Sequence, residues 1–141
     1  MNMNTKILSI CTLIVILGFG GVMMVKNRNN KQNDESKLIA STFINKNQIA
    51  PGDVVVKVTP EGFVPTEVTI KKGDKVVWLN ESGTYTWPAS DLHPTHGVYP
   101  EFDPLEPIPA GQAWAFVFGK AGQWKFHDHL KPNRRGGVNV E

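Results

Sequence analysis

The hydrophobic pattern divides the chain at residue 25. From Ile7 to Val25 it reads "ILSICTLIVILGFGGVMMV", 19 residues without a charge. At about 1.5 Å per residue, a helix of that length crosses the hydrocarbon core of a bilayer. A cleaved signal peptide would be shorter and would be followed by an Ala-x-Ala site. Gly18-Phe19-Gly20 is a weak substitute, and Ile10 before Cys11 does not favour lipoprotein processing. We therefore expect a retained single-pass anchor over residues 1–25. Lys6 precedes the run, and Lys26, Arg28 and Lys31 follow it, so the charges alone lean towards a cytoplasmic C-terminus. A small β domain behind one N-terminal anchor is nevertheless expected to be exported. The location expected is the cell membrane, with the domain on the extracytoplasmic side.

Residues 26–51 read as a polar tether. "KNRNNKQNDESK" has nothing to bury, and "LIASTFINKNQIA" could form a short helix or a first edge strand. Pro51-Gly52 marks the start of a domain over 52–141. Its pattern then has period two. "DVVVKVT" (53–59), "TEVTI" (66–70), "KVVWL" (75–79), "AWAFVF" (113–118), "GQWKF" (122–126) and "GVNV" (137–140) are short β-rich segments divided by glycine and proline turns. Trp114, Phe116 and Phe118 share one face, as do Trp124 and Phe126. The pattern predicts an all-β, antiparallel Greek-key sandwich with no long helix. Between 80 and 112 lie Pro88, Pro94, Pro100, Pro104, Pro107 and Pro109, which exclude helix and central strand. A long ordered connection on a sandwich is a place to look for function.

Composition removes several classes. The formal net charge is +2, which gives no electrostatic argument for nucleic acid. The single cysteine, Cys11, is inside the apolar run, and all four methionines precede residue 25, so residues 26–141 offer no sulfur ligand. Without Gly-x-Ser-x-Gly or a cysteine in the domain, nucleophilic hydrolysis has no support.

The histidines change the picture. There are four, in two pairs: His93 and His96 in "DLHPTH", and His127 and His129 in "FHDHL", with Asp128 between the latter. Asp91, Glu101 and Asp103 are close to the first pair in sequence. Imidazole suits copper, zinc and nickel, and a carboxylate can complete the shell or orient a ligand from behind. The spacing therefore makes His93, His96, His127, His129 and Asp128 candidate metal ligands. Strand alternation opposes this. If Phe126 points inward, so does Asp128, and His127 and His129 point outward as surface residues. Convergence then requires β structure to end at about Phe126.

"GFVPTEVTIKKGDKVVWLNES" (62–82) and "AGQWKFHDHLKPNRRGGVNV" (121–140) resemble the opening and closing strands of the cupredoxin family. The resemblance covers roughly 52–141 and implies that family's sandwich. It also implies type 1 copper ligands of His, Cys, His and Met. Laid over this chain, those fall at Thr86, Asp128, Lys131 and Arg134, and none matches. Without thiolate, an imidazole and carboxylate site favours Cu(II) of type 2 character, or zinc, and resists fast electron shuttling. Two functions remain open. One is a divalent-metal protein for metal handling or redox support, with a redox or metal-transfer protein as partner. The other is a metal-free module presenting the 84–107 loop, with Tyr85, Trp87, Tyr99 and Phe102, to a partner. Those aromatics could equally pack the loop onto the sandwich.

Overall fold

The structure, a computed structural model, describes residues 41–141. The expected anchor, and the tether up to residue 40, lie outside the described residues. Among the described residues no helix is long and apolar enough to cross a membrane.

Strand β1 (Ser41–Asn45) is followed by one 3-10 turn, Lys46–Gln48. Then come β2 (Val54–Val58), β3 (Phe63–Val64), β4 (Glu67–Ile70) and β5 (Lys75–Asn80). The long connection holds only β6 (Pro88–Ser90). The chain finishes with β7 (Gln112–Val117), β8 (Gly122–Asp128) and β9 (Lys131–Val140). These build a five-stranded sheet in the order β1-β7-β5-β2-β3 and a four-stranded sheet in the order β4-β9-β8-β6.

The sandwich is all-β, but its sheets are mixed rather than wholly antiparallel. β2 runs parallel to β5, and β4 runs parallel to β9. The cause is the path between β2 and β5. β3 turns back along the β2 edge, and β4 then crosses to the other sheet, so β5 enters beside β2 in the same direction. The domain also takes in residues ahead of Pro51. β1 pairs antiparallel with β7 over Ser41↔Phe116 to Asn45↔Gln112, so the end of the expected tether is an edge strand.

Alternation sorts the side chains as the sequence suggests. Val56, Val58, Ile70, Val76, Trp78, Trp114, Phe116, Phe118, Phe126, Val138 and Val140 fill the space between the sheets. Tyr99, Phe102 and Ile108 of the long connection join them. The Phe102 ring stacks on Trp114 at 5.8 Å and lies 5.0 Å from Trp78. Full burial of such a side chain is worth about 1.5–3 kcal/mol, which fixes the connection to the sandwich end. Gly136 is required beside it: a Cβ there would come within 2.7 Å of Phe126 Cε1 and 2.8 Å of the Thr66 carbonyl.

Candidate metal centre

Two elements bring the histidines together. β8 carries His127 near its end, His129 follows its last residue, and the connection after β6 carries His93 and His96. β6 pairs with β8 through Pro88↔Asp128, Ala89↔His127 and Ser90↔Phe126. The backbone leaving β6 is therefore beside His127 from the start. Asp91 N–H donates to the Lys125 carbonyl at 3.0 Å, and Ser90 N–H to the Phe102 carbonyl at 2.9 Å. A tight turn follows, with His96 N–H donating to the Leu92 carbonyl at 2.7 Å. His96 has φ of 53°, a left-handed backbone that costs a non-glycine residue about 1 kcal/mol or more. The turn keeps that conformation, and it aims the imidazole at β8.

The strand does not end at Phe126, and convergence does not require it to. β8 runs through Asp128, with a register irregularity between His127 and Asp128. His127 and His129 keep their side of the strand, and the connection folds over to meet them. His127 is fully buried for that reason, although it alternates with the core residue Phe126. A surface position in the strand pattern became an interior one because a second element covers it.

His93, His96, His127 and His129 each present one ring nitrogen, and the four atoms lie within 4.8 Å of one another. His93 Nδ1 and His127 Nε2 are 3.2 Å apart, and His96 Nε2 and His129 Nδ1 are 2.9 Å apart. Bonds of about 2.0–2.1 Å to one ion would separate neighbouring nitrogens by about 2.9 Å at right angles and about 3.4 Å in a tetrahedron. Both contacts fit that range. No pair is wider than 4.8 Å, against the roughly 4.1 Å that two such bonds span when directly opposite each other.

Behind two of the rings stand carboxylates. Asp91 Oδ1 accepts from His127 Nδ1 at 3.0 Å, and Asp103 Oδ2 accepts from His96 Nδ1 at 2.6 Å. Asp91 is itself held by Arg135 Nη1, which donates to both oxygens at 3.2 Å. Asp103 takes further bonds from Trp87 Nε1 and Leu105 N–H, both at 2.8 Å. Burial alone would raise the Asp103 pKa. The bonds from Trp87, Leu105 and His96 outweigh it and hold the carboxyl below its usual range. His127 is pushed below the ordinary imidazole value, first by burial and also by the neighbouring His96 and His93, against the pull of Asp91. His129 is pushed down by burial and by the same two histidines. Both are therefore biased towards the neutral form that binds metal.

Asp128 is not part of this group. It is fully buried on the other side of the irregularity. Its oxygens accept from Thr86 Oγ1 at 2.9 Å, Trp87 N–H at 3.0 Å and Leu130 N–H at 3.1 Å. Arg134 Nη1 is 3.7 Å away. The orienting carboxylates are Asp91 and Asp103, whose nearness to the first histidine pair in sequence was the available signal. Of the loop aromatics, Tyr99 and Phe102 go to the core and Tyr85 to solvent, while the Trp87 ring lies 4.8 Å from that of His129.

No protein-family model matches the chain. In sequence it is similar to amicyanin of Paracoccus denitrificans, 28% identical over 138 residues that cover 97% of each chain. Among solved structures, it is similar to amicyanin from Paracoccus versutus, with 26% identity and a TM-score of 0.62 over 72% of this chain and 98% of that one. It is also similar to the reduced Cu(I) form, at pH 4, of an amicyanin variant, with 25% identity and a TM-score of 0.62 over 72% and 99%. The fold is cupredoxin-like. That fold here carries four histidines able to bind a metal at the β8 end of the sandwich.

Proposed function

We propose that this is a membrane-anchored, extracytoplasmic cupredoxin-like protein that holds Cu(II) on His93, His96, His127 and His129 for metal handling or redox support. The observation that carries the reading is the meeting of four ring nitrogens, two of them backed by carboxylates. Buried polar groups normally find partners of the protein's own, and the Nε2 atoms of buried His96 and His127 find only the other two imidazoles. The similarity to amicyanins, one of them in a Cu(I) form, supports copper over zinc. The donor set supports Cu(II) of type 2 character, since residues 26–141 contain no cysteine or methionine. In this reading the ligand positions of type 1 copper are taken by Thr86, Asp128, Lys131 and Arg134. A redox or metal-transfer protein is the partner the reading calls for.

Copper titration of the purified chain tests it. One Cu(II) per chain is expected, with a type 2 electron paramagnetic resonance spectrum and no intense blue band. H127A/H129A should lose tight binding while far-ultraviolet circular dichroism shows the sandwich intact. Undiminished binding by that double variant would sink the shared site. A partner-binding module without metal is the second reading, favoured by the exposure of Tyr85, Leu92, Val98 and Leu105 around the same connection. Failure to bind either Cu(II) or Zn(II) would leave it standing.

A further inference from the structure

The four histidines are of two kinds. A carboxylate can only accept, so the protons of neutral His127 and His96 sit on Nδ1, donated to Asp91 and Asp103. Their Nε2 lone pairs face the cluster. Opposite them, at 3.2 and 2.9 Å, are His93 Nδ1 and His129 Nδ1. Two lone pairs at those distances would repel. His93 and His129 therefore carry their own protons on Nδ1 and donate them to His127 and His96. An ion bound by all four nitrogens needs four lone pairs, so these two protons must leave. The Nε2 atoms of His93 and His129 have no hydrogen-bond partner among the described residues. His93 is exposed and His129 half-buried, so solvent can reach them.

We propose that loading switches His93 and His129 from the Nδ1–H to the Nε2–H tautomer while His96 and His127 keep theirs. The site then has a fixed half, held by Asp91 and Asp103, and an exchanging half. In each switching ring an Nδ1–H bond breaks and an Nε2–H bond forms. Water relays the proton, so neutral imidazoles release none overall. Asp91 and Asp103 are positioning residues: they stop the buried rings from turning their lone pairs outward. The inference rests on the metal-centre reading and adds to it which ligands change state.

Long-range proton–nitrogen-15 NMR of the full chain reads each tautomer directly, at about pH 8, above the ordinary imidazole pKa. Zn(II) is the probe because it is diamagnetic. Without ion, all four rings are expected as Nδ1–H. With one equivalent of Zn(II), His93 and His129 should appear as Nε2–H, and His96 and His127 should be unchanged. D91A should leave His127 as a mixture of tautomers, whereas a merely structural role for Asp91 would leave it wholly Nδ1–H. Bound Zn(II) without a switch at His93 and His129, or with one at His96 or His127, overturns the inference alone. Failure to bind either Zn(II) or Cu(II) overturns the metal reading along with it.

Discussion

Two buried polar groups sit side by side at the end of β8, and they are finished differently. Around Asp128 the protein supplies the whole complement: Thr86 Oγ1, Trp87 N–H and Leu130 N–H donate to the carboxylate, and Arg134 stands beside it. Around His127 the carboxylate of Asp91 satisfies one nitrogen, and the other faces only further imidazoles. A carboxylate accepts from hydroxyl, amide and guanidinium, all of which a chain has in quantity. An imidazole lone pair facing other imidazoles meets a donor only where a neighbouring ring presents its own N–H. The Asp128 carboxylate has its donors as folded, whereas the second group has room for a guest. Thr86, Asp128 and Arg134 are also three of the positions at which the cupredoxin resemblance implied ligands, so the implied centre and the observed cluster are neighbours and not the same place.

The comparison breaks if the two groups prove to be one. D128A leaves Thr86 Oγ1, Trp87 N–H and Leu130 N–H without the acceptor they share at a fully buried position, and a buried donor left unsatisfied costs about 1–3 kcal/mol. Urea unfolding should show that loss, while the fraction still folded binds Cu(II) as tightly as the parent. A matching loss of copper affinity in folded D128A would make the carboxylate part of the site after all. The next effect belongs to the carboxylates behind the rings. D103A should weaken Cu(II) binding by about 10–100-fold, the usual cost of losing an orienting partner, as read by competition with a chelator.

The pH dependence sharpens the contrast further. Proton and ion compete for one lone pair, and His127 and His129 are held below the ordinary imidazole pKa. Copper should therefore persist to a lower pH than the value of about 6.5 at which a free imidazole protonates. The ion-free domain carries the opposite signature. As pH falls below about 6.5 the unfolded chain takes up protons on these two histidines first, so stability declines until the depressed folded values are passed. Denaturant midpoints across that range check it, and H127A/H129A should flatten the slope. The smallest effect is expected at the rim. L92A and Y85A alter exposed side chains and should shift stability by no more than about 0.5 kcal/mol, leaving the affinity for Cu(II) unchanged.

Much of the sandwich was legible because burial imposes alternation. Trp114, Phe116 and Phe118 could share a face only as a strand, and all three lie in the core. The parallel pairings were not legible, since β2 and β5 look the same from within whichever way they run. The two-residue β3 and the proline-led edge strand β6 are too short for any period to show. In the site, the four histidines were visible as two pairs, but strand parity pointed His127 towards solvent. Parity reports the side of one sheet, and the burial of His127 is decided by a connection that pairs Ala89 opposite it. Asp91 and Asp103 were seen only as neighbours in sequence. Their roles depend on that same connection, which aims one carboxylate at each buried ring.

Trp87 binds Asp103 through its indole nitrogen while its ring lies 4.8 Å from that of His129. An aromatic chromophore in contact with one prospective ligand, and bonded to the carboxylate behind another, gives the centre an optical output. Paramagnetic Cu(II) should extinguish the emission of Trp87 far more than that of Trp78 and Trp114 in the core, whereas Zn(II) should leave it bright. The chain would thus signal by its own fluorescence whether the site is filled and with which of the two ions.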